Sequence, residues 1–245
     1  MAALYDLKDR VAIVTGASRG IGRAIAIGLS ACGAKVALSS RKEADLKQLA
    51  EEISASGGES LVVPCNMGKQ EDVERLARTG EEKWGGADIV VNNAATSPYF
   101  GPFVETPLDA WDKTMDVNLR GPFLLSSLAA PGMKERGRGK IINISSNEGI
   151  DPSAELGAYS VSKAALIGMT KVLAKDLGPF GIQVNCVAPG LTKTDFARAL
   201  FEDEKLYRYY VGKTALKRHG VPEEIAATVV FFASDESNFI TGQTY

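Results

Sequence analysis

Short apolar runs alternate with longer stretches of helical periodicity along most of the chain, and this order constrains the fold more than any other feature. A helical stretch stands between successive runs, so each pair of strands is expected to be parallel and joined by a right-handed crossover. The predicted strands are residues 11–14, 35–39, 60–64, 89–91, 140–145 and 182–187. The predicted helices are residues 22–31, 42–56, 71–83, 108–134 and 158–177, with Pro122 and Pro131 marking bends or ends in the fourth.

This alternation predicts an α/β protein with a single-domain Rossmann fold, in which a doubly wound parallel β-sheet carries helices on both faces. The 245 residues suit one such domain, and no linker divides the chain, so residues 1–245 are expected to form one nucleotide-binding domain. Residues 240–245 have the pattern of a beginning strand, which favours a further short C-terminal tail. Ligands of such sheets bind beyond the carboxyl ends of the strands, so the residues after each strand are the functional candidates.

The charged, sulfur-bearing and histidine residues argue against several classes of protein. Lys and Arg number 28 and Asp and Glu 30, and the net charge of −2 gives no electrostatic reason for a nucleic-acid or membrane partner. The three cysteines do not make a disulfide framework and are expected to be reduced thiols. His219 is the only histidine and is expected in a loop, so no histidine-based metal site or Ser-His-Asp triad is predicted.

The N-terminal segment has no features of a targeting sequence. It is polar and includes Asp6, Lys8, Asp9 and Arg10, and no apolar run is long enough to cross a bilayer. The sequence therefore predicts a cytoplasmic protein, with an organellar signal in a C-terminal tail as the open alternative.

Glycines follow the first predicted strand in a pattern suited to a nucleotide. Gly16, Gly20 and Gly22 are spaced as G-x-x-x-G-x-G between that strand and the next helix. Glycines let the backbone turn tightly and approach a pyrophosphate, and the helix N-terminus offers free N–H groups. Any tight turn between a strand and a helix also needs glycines, but the position after the first strand favours a dinucleotide site.

The end of the second strand favours NADP(H) over NAD(H). NAD-specific sites place a carboxylate there for the ribose hydroxyl, whereas this chain has Ser40, Arg41 and Lys42. A 2′-phosphate favours guanidinium groups, and Arg19 of the glycine loop adds a second one. The alternative is that Arg41 and Lys42 are a solvated helix start, although the helix dipole disfavours cations at that end.

Tyr159 and Lys163 are the strongest candidates for chemistry. Their spacing of four residues places both side chains on one face of a helix. A neighbouring ammonium lowers the pKa of a phenol from about 10 toward working pH, and such a phenol can exchange the proton that accompanies hydride transfer. A Tyr-x-x-x-Lys pair is usually structural, but this one faces the sheet edge that carries the glycine loop.

Taken together, these motifs resemble the short-chain dehydrogenase/reductase family over about residues 7–245. The resemblance implies a catalytic tetrad of Asn118, Ser146, Tyr159 and Lys163. Ser146 is chosen over Ser145 because it lies thirteen residues before Tyr159, as in the family. The matching segments are residues 15–22, 92–95 and 189–194 together with those four residues.

The family also implies particular roles around the tetrad. Asn118 is expected to hold a water that relays protons to Lys163, and Lys163 to bind the nicotinamide ribose. The loop from Pro189 to Thr194 is expected to hold the carboxamide. The predicted NADP(H)-binding residues are Gly16, Ser18, Arg19, Gly20, Ile21, Gly22, Ser40, Arg41, Lys42, Asn66, Met67, Asn93, Ala94, Tyr159, Lys163, Pro189, Gly190, Leu191, Thr192 and Thr194.

Within the family, the local sequence is similar to NADPH-dependent carbonyl and retinal reductases and to 3-oxoacyl-carrier-protein reductases. Asn66 stands where many members have an aspartate near the adenine, and Ala95 replaces a common glycine. These two departures put the adenine contacts in doubt but lie away from the reacting centre.

The function predicted is hydride transfer between NADP(H) and a carbonyl or secondary alcohol, with Tyr159 as general acid/base. A nucleotide-sensing regulator without turnover would be expected to have lost Tyr159 or Lys163. A lyase or epimerase would need a substrate domain for which no length remains, and a structural protein would need a separate explanation for every motif. The resemblance also implies a homotetramer, packed through the long helices around residues 108–134 and 158–177.

Two stretches are predicted to line the substrate pocket. The first is residues 96–103, and the second is residues 196–210, for which helix packing is an equal alternative. Because apolar walls favour apolar ligands, bulky ketones, aldehydes and diketones are expected to be better substrates than small charged keto acids. The expected walls are Tyr99, Phe100, Phe103, Ile150, Leu191 and Phe196.

Overall fold

A computed structural model describes residues 5–245 of the chain. The strands are β1 (Val11–Thr15), β2 (Lys35–Ser40), β3 (Ser60–Pro64), β4 (Ile89–Asn92), β5 (Gly139–Ile144) and β6 (Ile182–Val187). The helices are α1 (Gly20–Ala31), α2 (Glu43–Ala55), α3 (Gln70–Trp84), α4 (Leu108–Met115), α5 (Gly121–Arg136), α6 (Gly157–Leu177), α7 (Arg198–Glu202), α8 (Glu204–Lys213) and α9 (Pro222–Ala233).

The six strands form one parallel sheet in the order β3-β2-β1-β4-β5-β6. β1 pairs with β2 with Val11 opposite Lys35, and with β4 with Ala12 opposite Ile89. The chain therefore starts in the middle of the sheet, builds one half, and returns to build the other. The crevice of a doubly wound sheet opens at this reversal, between β1 and β4.

Helices cover both faces of this sheet. One apolar cluster packs α1, α2 and α9 against one face, and a second packs α3, α5 and α6 against the other. The strands are buried from both sides, which explains why they are nearly continuous apolar runs in the sequence. The predicted doubly wound Rossmann fold is confirmed.

The predicted helix over residues 108–134 is wrong as a single helix. α4 and α5 are separated by a π-helical turn at Asp116–Arg120, where the backbone hydrogen bonds lengthen by one residue. Pro122 lies in the first turn of α5, where its missing N–H costs little, and Pro131 lies inside α5 without ending it. The interruption therefore comes from the π turn, which local periodicity did not indicate.

The C-terminal residues pair with the edge of the sheet, as the strand pattern there predicted. Cys186 of β6 donates its N–H to the Gln243 carbonyl at 2.9 Å, and Tyr245 donates to the Cys186 carbonyl at 3.0 Å. Across residues 5–245, none of the helices combines the length and apolarity needed to span a bilayer.

Candidate active site

A cleft of about 840 Å³ lies where the carboxyl ends of the strands meet. Residues that follow each of the six strands line it, as expected for the crevice of a doubly wound sheet. Every residue that the sequence predicted to bind the cofactor lies in this lining. The predicted site residues that follow different strands therefore share one cavity.

The glycine loop is shaped by close backbone contacts that only glycine permits. Gly16 and Gly20 have φ of +67° and +55°, in the left-handed region that favours glycine. A Cβ on Gly22 would lie 2.2 Å from the Gly16 carbonyl oxygen and 2.4 Å from the Asn93 amide nitrogen. The first turn of α1 is thereby brought against the loop, with its free N–H groups at the cleft.

The segment after β4 holds this loop in place. Asn93 donates its side-chain amide to the Thr15 carbonyl at 2.8 Å. The Thr15 hydroxyl accepts from the backbone N–H groups of Asn93 and Ala94, each at 3.0 Å. These contacts join the ends of β1 and β4 across the reversal of the sheet.

Three cations stand at the nucleotide end of the cleft. Arg41 and Lys42 follow β2 and are exposed, and Arg19 follows β1. The Arg19 guanidinium lies 3.6 Å from the Asp195 carboxylate, and Arg198 lies 2.7 Å from the same carboxylate. Arg198, Arg19 and Lys42 all lower the pKa of Asp195, with Arg198 the strongest. This end of the cleft is suited to an anion.

Tyr159 and Lys163 lie on the first turns of α6, buried at the deep end of the cleft. The Lys163 ammonium donates to the Ile144 carbonyl at 2.6 Å and lies 5.5 Å from the centre of the Tyr159 ring. The Ser146 hydroxyl accepts the N–H of Glu148 at 3.2 Å. Three of the four predicted tetrad residues therefore share the cleft wall.

Asn118, the fourth predicted tetrad residue, lies behind the cleft lining in the π turn. Its amide oxygen accepts the N–H of Thr96 at 2.8 Å, and its amide nitrogen donates to the Thr96 carbonyl at 2.9 Å and to the Ser162 hydroxyl at 3.0 Å. The side chain thus joins the segment after β4 to α6. π turns are frequent at functional sites because they redirect the local backbone.

Burial shifts the pKa values of Tyr159 and Lys163 in opposite directions. It raises the pKa of Tyr159 to about 12, against an opposing effect of the Ser146 hydroxyl. It lowers the pKa of Lys163 to about 8. The predicted lowering of the Tyr159 pKa by Lys163 is not found in this structure, because burial raises that pKa and the opposing effect comes from Ser146. Tyr159 is therefore a protonated phenol at neutral pH.

The predicted apolar walls are only partly correct. Leu191 and Phe196 line the cleft, and the Phe196 ring lies 5.7 Å from the Tyr159 ring. Phe103 instead packs against Trp111, with ring centres 6.1 Å apart, because the chain after β4 runs outward along α4. The predicted wall residues Tyr99, Phe100, Phe103 and Ile150 lie outside the lining.

Some aromatic residues of the second predicted stretch, residues 196–210, pack against other side chains, and others line the cleft. Phe201 and Tyr207 pack against the loop residue His219, and the Tyr207 hydroxyl lies 3.0 Å from the His219 Nδ1. Tyr210 lines the cleft together with Phe196. Helix packing is thus correct for two of these residues.

Sequence reasoning missed several residues of the substrate side. Glu148 is the most notable, because it carries a charge two residues beyond Ser146. Its position just after a predicted strand was the available signal. The other missed lining residues are Asn147 and Leu156.

Sequence comparison relates these features to known proteins. A family profile described as enoyl-(acyl carrier protein) reductase matches residues 16–245. Dehydrogenase/reductase SDR family member 4 of Bos taurus is 41% identical over 244 residues, covering 100% of this chain and 88% of the relative. The Homo sapiens protein of the same name is 41% identical over 238 residues, covering 97% and 86%.

Solved structures agree with this relationship. A short-chain type dehydrogenase/reductase from Mycobacterium ulcerans superposes with a TM-score of 0.93 at 32% identity, covering 97% of this chain and 87% of that one. A 3-oxoacyl (acyl-carrier-protein) reductase from Agrobacterium tumefaciens with NADP bound gives 0.92 at 30% identity, covering 98% and 93%.

Proposed function

Because the chain belongs to the short-chain dehydrogenase/reductase family of oxidoreductases, we propose that it transfers a hydride between NADP(H) and a carbonyl or secondary alcohol, with Tyr159 as the general acid/base. The supporting observation is the shared cleft, which joins the glycine loop to the buried pair of Tyr159 and Lys163. A protonated Tyr159 can supply the proton that carbonyl reduction consumes at the substrate oxygen.

Each tetrad residue has a proposed role that its position supports. Tyr159 donates its phenolic proton to the substrate oxygen, and Ser146 orients that oxygen by a hydrogen bond. Lys163 returns a proton to Tyr159 and binds the nicotinamide ribose. Asn118 holds the water that connects Lys163 to solvent, from its position between Thr96 and α6. The bound cofactor supplies or accepts the hydride.

The residues at the cleft fit a dinucleotide. The tight approach of Gly22 to Gly16, which a Cβ would prevent, brings the free N–H groups of the first turn of α1 to the place proposed for the pyrophosphate. The segments that end in Ala94 and Thr194 lie along the same lining, toward the nicotinamide end. A nicotinamide dinucleotide therefore suits both the shape and the polarity of this site.

The overall proposal is tested with the purified protein, NADPH and a panel of aldehydes, ketones and diketones. Cofactor oxidation is followed by the loss of its near-ultraviolet absorbance, and cofactor binding is measured separately by fluorescence. Turnover of at least one carbonyl class supports the proposal. Tight NADPH binding with no turnover across the panel would instead favour a nucleotide-sensing regulator.

The choice of NADP(H) over NAD(H) rests on Arg41 and Arg19. Neither the end of β2 nor the glycine loop carries a carboxylate for a ribose 2′-hydroxyl, and cations of the kind that pair with a 2′-phosphate line this end of the cleft. The pairing of Arg19 with Asp195 is exposed and therefore weak, so a phosphate can displace it.

Arg41→Ala should weaken NADPH binding by about 1.5–3 kcal/mol, the usual value of a charge-assisted hydrogen bond. Titration calorimetry with NADPH and NADH measures the change, and NADH affinity should be nearly unaltered. Arg78→Ala, at an exposed position on α3 outside the cleft, is the matched control. Equal weakening of both cofactors would show that Arg41 does not contact the phosphate.

We also propose that the protein is a homotetramer, packed through α5 and α6. Phe123, Leu128, Val161 and Val172 are apolar and exposed on these helices, and symmetric packing of helices is a common way to cover such residues.

Light scattering at micromolar concentration should therefore show a tetramer. Val172→Asp should shift it to smaller species, because a charge cannot be buried unpaired in an interface. Leu216→Asp, at an exposed site in the loop between α8 and α9, should leave the mass unchanged. A wild-type monomer contradicts the proposed assembly.

A further inference from the structure

Glu148 places a fixed carboxylate in the substrate wall of the cleft. Its Oε2 accepts three hydrogen bonds, from the Ser153 N–H, the Ser153 hydroxyl and the Ser160 hydroxyl, each at 2.8 Å. Ser160 is adjacent to Tyr159 on α6, and the Glu148 N–H donates to Ser146. The carboxylate is therefore held on the same side as the two residues proposed to contact the substrate oxygen.

The second carboxylate oxygen of Glu148 is available to a ligand. Within residues 5–245, the hydrogen bonds to this side chain all end on Oε2, and no lysine or arginine forms an ion pair with it. Glu148 lines the same cleft as Tyr159 and Tyr210, and its charge raises the pKa of both phenols. A carboxylate oxygen that lines the cleft without a protein donor can accept a hydrogen bond from a ligand.

The other charged residues of the cleft do not neutralise Glu148. Arg19, Arg41 and Lys42 belong to the nucleotide end, Lys163 is bonded to the Ile144 carbonyl, and Lys69 and Lys113 form no ion pair with Glu148 among residues 5–245. Asp195 pairs with Arg198 and Arg19. The further carboxylates of the lining are Asp109, Asp112 and Asp116, and its neutral residues include Asn147, Leu156, Phe196, Leu200 and Tyr210.

We infer that Glu148 is a specificity-determining residue that selects carbonyl substrates bearing a protonated amine and rejects those bearing a carboxylate. This inference rests on the proposed function and names its substrate class. The amine would donate to the free Glu148 oxygen while the ketone oxygen meets Tyr159 and Ser146, and an apolar body between them would lie against Phe196 and Leu200.

The test uses three phenyl ketones that share a two-carbon spacer and end in a dimethylammonium, an isopropyl or a carboxylate group. The three have nearly the same shape and differ in charge. In the wild type, kcat/KM for the ammonium ketone should exceed that for the isopropyl ketone by at least about tenfold, as expected for a charge pair in a partly buried site. The carboxylate ketone should be the poorest.

Glu148→Gln removes the charge and keeps an oxygen for Ser153 and Ser160. It should reduce the ratio of ammonium to isopropyl ketone by about tenfold, chiefly through KM, and should improve the carboxylate ketone. Asp151→Asn removes the same charge from an exposed position on the same loop, outside the lining, and should leave all three ratios unchanged.

The outcomes separate this inference from the function it rests on. If none of the three ketones or the wider carbonyl panel is reduced, the proposed function fails. If the isopropyl ketone is reduced and the ammonium ketone is no better, the cleft gives no preference to a positively charged substrate. The inference about Glu148 is then overturned. The same conclusion follows if Glu148→Gln and Asp151→Asn give identical ratios.

Discussion

Tyr159→Phe should lower kcat for carbonyl reduction by at least about 10²-fold, the lower end of the usual effect of a general acid. Phenylalanine keeps the ring that packs against Phe196 at 5.7 Å, so the wall of the cleft should keep its shape. The substitution removes only the hydroxyl that would protonate the substrate oxygen. Steady-state rates with a responsive ketone measure the loss, and NADPH binding by fluorescence should be close to wild type.

Tyr99→Phe is the matched control, because Tyr99 also carries a hydroxyl but lies outside the cleft lining. It should retain wild-type turnover. Near-normal activity in Tyr159→Phe would remove Tyr159 from the mechanism, whereas loss of both activity and NADPH binding would indicate a folding defect instead of lost chemistry.

The pH profile gives an independent readout of the same site. Burial raises the pKa of Tyr159 to about 12, so the phenol remains a proton donor over the accessible range. Burial lowers the pKa of Lys163 to about 8, so Lys163 loses its proton above that pH. Reduction should therefore fall above about pH 8, whereas alcohol oxidation, which needs the deprotonated phenol, should rise with pH. The fall in reduction should be absent from the residual activity of Tyr159→Phe.

The fold could be predicted from sequence because its strands are buried on both faces. A run such as residues 11–14 has no polar alternation, and several such runs are typical of a covered parallel sheet. The glycine loop could also be predicted, because Gly16 and Gly22 lie between the first strand and the next helix, where a nucleotide site needs a close approach of the backbone. Element type and order come from these local patterns.

The π turn and the substrate walls could not be predicted in the same way. Asn118 lies in a turn whose hydrogen bonds are shifted by contacts with Thr96 and α6, residues distant in sequence. Phe103 resembled a pocket residue by its position after β4, but its ring is covered by Trp111. Both outcomes depend on tertiary packing.

The pKa values of Tyr159 and Lys163 could not be predicted from the sequence for a related reason. The spacing of Tyr159 and Lys163 is a local feature, and it correctly places them on one helical face. Their pKa values depend instead on how much water the folded chain removes from each group. Lys163 is buried and donates a hydrogen bond to the Ile144 carbonyl. The spacing in the sequence does not indicate either feature. Glu148 was overlooked because only the folded loop turns it into the cleft.

The contact between Gly22 and the preceding loop leads to the second large expected effect. Gly22→Ala should weaken NADPH binding by about 10–100-fold, corresponding to the roughly 1–3 kcal/mol cost of forcing an extra methyl into a packed site. The new methyl would meet the Gly16 carbonyl oxygen at 2.2 Å and the Asn93 amide at 2.4 Å. Both partners belong to the frame that holds the loop to β1 and β4, so the loop must move outward, toward the space for the pyrophosphate.

Two measurements distinguish displacement of the loop from general unfolding. Calorimetry gives the NADPH affinity, and thermal melting should show Tm lowered by only about 2–12 °C, the range expected from that cost in a chain of this size. Gly212→Ala is the control, because a methyl at this exposed position of α8 meets no atom within 4 Å; both NADPH affinity and Tm should stay near wild type. If Gly22→Ala binds NADPH as tightly as the wild type, the cofactor does not lie against the glycine loop, and the proposal that this cleft holds a dinucleotide is overturned.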